Sequence, residues 1–164
     1  IDSERNYTRI EMPMPVSVSK VPEKAISGVC AGVLVDLGGI MHLVVHGTEA
    51  TKENFDRIKD IINAKYDPPA MGVMFYDDAK QYLTPVVYVK DVDTTYFEGS
   101  CASGSTAVAI AFSHSMEDGR HEFRLRQPAG TVTATVDIQG GKLRAVYIEG
   151  PVEISDTINV EVEV

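Results

Sequence analysis

Residues 98–112 read Glu98-Gly99-Ser100-Cys101-Ala102-Ser103-Gly104-Ser105-Thr106-Ala107-Val108-Ala109-Ile110-Ala111-Phe112. The second half, Thr106 to Phe112, carries no charge on any face. A helix that is apolar all round must be buried all round, so it belongs at the centre of the fold. The first half is made of small residues that lead directly into that helix.

Working outward, most of the remaining chain reads as strands. Tyr7–Met12, Gly28–Val35, Met41–His46, Met71–Tyr76 and Thr84–Lys90 are apolar or alternating runs separated by turn residues. Pro13 and Pro15 close the first. Asp36-Leu37-Gly38-Gly39 separates the second and third, and the Asp77-Asp78 region the last two. After the central helix, Asp118-Gly119 marks a turn. Glu122–Gln127, Gly130–Ile138 and Leu143–Glu149 then follow at hairpin spacing, with Gly140-Gly141 as a two-residue turn. The tail Asn159–Val164 alternates as well.

One other segment is helical. Thr51 to Ala64 places Phe55, Ile58, Ile61 and Ile62 on one face and Lys52, Asp56, Lys59 and Asp60 away from it. Thr51 is suited to cap its start, and Asp67-Pro68-Pro69 ends the unit. The expected fold is therefore α+β: a curved, mainly antiparallel sheet wrapped around a central buried helix, with one amphipathic helix outside. Residues 1–164 read as a single domain.

Composition narrows the function classes. The chain has 164 residues, 44% of them hydrophobic and 24% charged, an ordinary globular mixture. The net charge of −9 excludes the basic face that nucleic-acid binders need. No apolar run is long enough to span a bilayer, so no membrane role is expected. Two cysteines, Cys30 and Cys101, are too few for a disulfide scaffold and fit a reducing, cytoplasmic setting. Cys30 lies in an apolar strand-like run and reads as packing. The first residue is Ile1 rather than Met, which suggests a piece processed or cut from a longer chain.

Cys101 calls for a separate explanation. The first amides of a helix lack internal partners and sit at the positive end of its dipole. Small flanking residues let an anion approach them. A thiolate at the same place is stabilised, and its pKa can fall from about 8.5 toward neutrality. One segment could then hold a carboxylate and present a reactive thiol beside it. That pairing suits removal of the α-proton of an amino acid. Charge developing toward the carboxylate meets oriented amides, and the thiolate takes or returns the proton. Inversion needs a second acid on the opposite face. The sulfur is expected at the mouth of a cavity, beside unpaired amides. Packing of a small residue next to a capped helix start is the plainer alternative.

The sequence resembles the diaminopimelate epimerase-like superfamily, which includes the proline racemase relatives. Its hallmark is a Cys-Gly-Thr-Gly segment opening a buried helix; here it reads Cys101-Ala102-Ser103-Gly104. Gly38-Gly39-Ile40-Met41-His42 stands where the epimerases carry Gly-Asn-Pro-His. Gly72-Val73-Met74-Phe75 resembles a strand that supplies a substrate contact. Gln127-Pro128-Ala129-Gly130-Thr131 and Gly150-Pro151-Val152 resemble the late hairpin and its ending.

The resemblance implies a cofactor-independent racemase of two similar domains, each contributing one cysteine to the cleft between them. The chain matches the second, C-terminal domain of that plan. Cys101 would be its acid/base, with the amides of Ala102, Ser103 and Gly104 holding the carboxylate of an amino-acid substrate. Neither pyridoxal phosphate nor a metal is implied, and His42, His46, His114 and His121 have no ligand spacing. Glu98 is positioned to pair with the substrate ammonium, or to be a solvated turn residue. His42 holds a family-like place, for a substrate contact or for a hydrogen-bonded core histidine.

Departures bear on the substrate. Ile40 and Gly72 replace two epimerase asparagines, and Val92-Asp93 stands near the expected Glu-Arg pair. Diaminopimelate is therefore not expected, and the pattern is similar to racemases of other amino acids, histidine racemases among them. The second cysteine would come from another domain or from a second copy of this chain. Three other readings remain: an isolated inactive fragment, a non-catalytic carboxylate-binding module, and an isomerase of unsaturated acids on the same fold.

Overall fold

The computed structural model describes residues 6–23, 25–26 and 31–152. Cys30, the start of the expected strand at Gly28, and the alternating tail at Asn159–Val164 lie outside them.

The elements follow in the order β1 (Tyr7–Met12), β2 (Ser17–Val21), β3 (Gly32–Asp36), β4 (Met41–His46), α1 (Lys52–Tyr66), β5 (Ala70–Asp77), β6 (Tyr82–Val89), β7 (Thr94–Phe97), α2 (Ala102–Ser113), β8 (Gly119–Gln127), β9 (Gly130–Gln139) and β10 (Lys142–Pro151). A short 3-10 turn, Lys90–Val92, precedes β7. Among the described residues the ten strands form one sheet in the order β1-β10-β9-β8-β6-β5-β4-β3-β2, with β7 paired to β6 off that path.

The sheet is mainly antiparallel with two parallel joins. One is β4 against β5, linked by α1 as a crossover. The other is β6 against β8, where the register is a single pair, Tyr82 with Arg126. That join is a seam, because β7 occupies the other end of the β6 edge, from Val86 to Val89.

The sheet curls about α2, which packs against β3, β4, β5, β8, β9 and β10. Ala107, Val108 and Ala109 have no exposed surface. They share a core with Val44, Met74, Leu83, Leu125, Ala134, Val136 and Val146. Alternation along the central strands sends the other set of side chains outward. Leu43, Val45, Met71, Val73 and Phe75 meet Phe55, Ile58 and Ile62 of α1 in a second core. The expected α+β arrangement, a central helix in a curved sheet with one helix outside, is the observed one.

Local chemistry fixes the ends. The Thr51 hydroxyl accepts the Asn54 amide hydrogen at 3.1 Å, capping α1. Asp67, at φ 47°, closes the helix in the left-handed region. Gly140 and Gly141, at φ 62° and 65°, form the turn between β9 and β10. Their amides donate to the Asp118 carboxylate. Ile61 departs from expectation: it is exposed, because the sheet covers only the stripe of Phe55, Ile58 and Ile62 on α1. Two strands not foreseen, β2 and β7, are short, exposed edge strands. No helix among the described residues is long and apolar enough to cross a membrane.

Candidate functional site

Cys101 is the N-cap of α2, held in extended backbone at φ −131°, ψ 109°. Four contacts fix it. Its amide donates to Gln127 Oε1 at 2.9 Å. Its carbonyl accepts from the Ser105 amide at 2.9 Å and from Ser105 Oγ at 2.7 Å. Its sulfur accepts from the Gly104 amide at 3.3 Å. Gln127 Nε2 in turn donates to Ser105 Oγ at 2.9 Å, so one buried amide side chain ties the last residue of β8 to the first turn of α2. The preceding loop is clamped as well: the Ala129 amide donates to the Gly99 carbonyl at 2.7 Å. The Glu98 amide donates to Pro85 on β6 at 2.9 Å.

The sulfur faces three groups. Ser103 Oγ lies 3.6 Å away. The Glu98 carboxylate is near enough to raise the thiol's pKa. Gly104 lies beneath it, and a Cβ there would stand 3.1 Å from the sulfur and 2.2 Å from Met74 Sδ. Only glycine lets the helix turn, the thiol and Met74 share that space.

His42 completes the cluster. It is fully buried on β4, and its Nε2 lies 3.0 Å from Ser103 Oγ. Gly72, its register partner on β5, makes room for the ring: a Cβ there would come within 2.4 Å of Nδ1. Burial lowers the His42 pKa to about 4, so the ring is neutral at neutral pH.

Two expectations for the thiol are corrected. Cys101 is only 6% exposed and packs with the central core. It does not line the cavity of about 710 Å³ whose walls include Thr48, Glu49, Lys80, Tyr82 and Arg126. Its pKa is not lowered but pushed up to about 11, first by burial and then by the Glu98 carboxylate; Ser103 and the Gly104 amide oppose this only in part. The favourable helix start is present, and desolvation beside an anion outweighs it.

Of the three amides expected to hold a carboxylate, one is engaged within the protein. The Gly104 amide is already engaged by the sulfur. Among the described residues, neither the Ala102 nor the Ser103 amide has an acceptor, as the geometry of a first turn requires. Ala102 is exposed and Ser103 half-buried. The site thus brings Cys101, Ser103, Gly104, Glu98 and His42 together. No cluster of potential metal ligands occurs among the described residues.

Sequence reading missed Gln127 and Met74 as members of the site, although both stand inside stretches that carry the resemblance. The one available signal for Gln127 was a polar residue at an inward position of an alternating strand.

Comparison with known proteins places this arrangement. Residues 2–159 match the family model for the histidine racemase CntK N-terminal domain. A histidine racemase of Fusobacterium nucleatum subsp. nucleatum is 31% identical over 157 residues, which is 93% of this chain and 56% of that protein. A histidine racemase of Staphylococcus aureus is 28% identical over 65 residues, 40% of this chain and 24% of that protein. The chain thus spans about half the length, or less, of the curated relatives it matches. The crystal structure of a Bacillus anthracis phenazine biosynthesis protein of the PhzF family shares the fold, with a TM-score of 0.54 at 14% identity, over 88% of this chain and 57% of that one. The matched family describes an amino-terminal domain, where the motif resemblance pointed to the second. The resemblance implied two similar domains with a cysteine in each, so one such motif does not tell them apart. The chain belongs to the histidine racemase CntK N-terminal domain family.

Proposed function

We propose that this chain is one half of a cofactor-independent amino-acid racemase, and that Cys101 is one of its two proton-transferring groups. The observation that carries the reading is the geometry at the start of α2: a thiol at the N-cap, beside two unengaged amides, on a helix enclosed by the sheet.

The substrate α-carboxylate docks on the Ala102 and Ser103 amides. The charge that develops as the α-proton leaves is stabilised there by groups already oriented. Glu98, beside the thiol, is placed to receive the α-ammonium. With its pKa pushed up to about 11, Cys101 rests as the protonated thiol at neutral pH. Cys101 in this resting arrangement is therefore the proton donor. A base on the opposite face takes the Cα proton, and the Cys101 S–H proton passes to the other side of the same carbon, leaving a thiolate. The reverse reaction uses the thiolate as the base. The opposing group comes from a second, similar domain or from another copy of this chain.

Histidine is the substrate this reading favours, on the strength of the family and of relatives named histidine racemase. The test is exchange at Cα. The intact protein is incubated with L-histidine in deuterium oxide and the α-proton is followed by NMR. Loss of that signal in the native protein, abolished by Cys101→Ser, supports the reading. Retention of the signal for histidine and for a panel of other amino acids would leave a carboxylate-binding module. Exchange that survives Cys101→Ser would remove Cys101 from the chemistry.

A further inference from the structure

The racemase reading leaves one buried group unused. His42 is fully enclosed, yet only one of its ring nitrogens has a partner. Nε2 meets Ser103 Oγ at 3.0 Å, whereas Nδ1 is buried with none among the described residues. Nδ1 lies against Gly72, whose missing side chain leaves the ring its space. Ser103 Oγ is also the hydroxyl 3.6 Å from the Cys101 sulfur. His42, Ser103 and Cys101 therefore form one line, from the floor of the sheet to the thiol.

A neutral imidazole has one N–H, and its position decides which way that line runs. A hydrogen on Nδ1 would be a buried donor facing carbon, a rare and costly arrangement. On Nε2 it donates to Ser103 Oγ. Occupied as an acceptor, the serine then turns its own hydrogen outward, to the sulfur. The opposite tautomer would draw the serine hydrogen back toward the ring and leave the sulfur without that donor.

We infer that His42 is a positioning residue: its Nε2–H holds Ser103 with the hydroxyl hydrogen aimed at Cys101, so that the thiolate formed when Cys101 gives up its proton is met by a ready donor. The role rests on the racemase reading for its purpose, but the geometry can be tested without turnover. The Glu98 carboxylate raises the pKa of the thiol and so opposes the thiolate. Ser103 and the Gly104 amide are the two donors that counter it. Among the described residues the one side-chain hydrogen bond of His42 is to Ser103, and it acts through that residue.

Two measurements on the intact protein test this. The first is long-range 1H–15N correlation on 15N-histidine-labelled protein at neutral pH. The hydrogen is expected on Nε2 of His42; a hydrogen on Nδ1 would overturn the inference outright, with no variant needed. The second is the alkylation rate of Cys101 by iodoacetamide at one mildly alkaline pH, read on the Cys101 peptide by mass spectrometry. Ser103→Ala and His42→Leu should each slow it about tenfold, as expected for one lost hydrogen bond to an anion, and together no more than either alone. His42→Gln, which keeps a donor near Nε2, should restore most of the rate. Full additivity, or a His42→Leu rate equal to the native one, would overturn the relay. If deuterium exchange at Cα fails while both results hold, the racemase reading falls and the thiol relay stands.

Discussion

Gln127 Oε1 accepts the Cys101 amide hydrogen at 2.9 Å, so a side chain from the end of β8 sets the backbone of the residue that carries the thiol. Its other end donates to Ser105, whose own hydroxyl returns to the Cys101 carbonyl. The three residues form a closed polar ring inside an apolar core. Buried rings of this kind rigidify a site because each member is satisfied only in one arrangement.

Gln127→Leu should therefore be costly out of proportion to its size. It leaves the Cys101 amide buried and unpaired, at about 1–3 kcal/mol. A lower urea midpoint with an unchanged slope, and loss of any Cα exchange activity, are the expected results. Gln127→Glu keeps the acceptor and should retain more of both.

Gly72→Ala tests the floor of the site. The new methyl would meet His42 Nδ1 at 2.4 Å, and the β4–β5 pair is too well buried to shift freely. Overpacking of this kind costs about 1–3 kcal/mol. Adding His42→Ser removes the nearest obstacle and leaves only the flexible end of Met74, 2.9 Å away, so the double variant should be less destabilised than the sum of the singles in equilibrium unfolding.

The thiol itself should be slow. Because burial and Glu98 raise its pKa to about 11, alkylation of Cys101 should be sluggish at neutral pH and climb steadily into the alkaline range. Glu98→Gln removes the nearby negative charge and should speed alkylation several-fold at a fixed mildly alkaline pH. An unchanged rate would mean that the carboxylate does not face the sulfur.

Acid should act on stability through His42. Its folded pKa of about 4 lies below the unfolded value near 6.5, so the unfolded chain binds the extra proton first. The contribution is complete above about pH 6.5, shrinks as pH falls toward 4, and reaches its limit below that. The loss is on the order of 3 kcal/mol across the window. Urea titrations through that range should show it, and in His42→Gln the same range should be flatter.

What the sequence made legible follows from what each signal measures. α2 was readable because a chargeless helix has only one place to go. The Gly140-Gly141 hairpin was readable because its turn needs positive φ twice. β2 escaped notice because Ser17, Ser19 and Lys20 carry no burial signal, and β7 because Tyr96 and Phe97 are exposed on a four-residue edge. The place of Cys101 at a helix start was also legible, since that is local. Its ionisation was not. The dipole and the amides are written within a few residues of the cysteine, whereas the burial that outweighs them comes from β4, β5 and β8. The same distance hid Gln127, which is 26 residues away in the chain.

The seam between β6 and β8 carries the last consequence. Tyr82 and Arg126 are the one register pair there, and the two arms of the sheet otherwise part. The start of α2 is fastened to both arms, to β4 through Ser103 and His42 and to β8 through Cys101 and Gln127. The polar cluster is thus a rivet across the weakest join of the barrel-like wrap. Anything that loosens it should unzip the two arms early, with amide exchange quickening on both sides of the join before the rest of the protein yields.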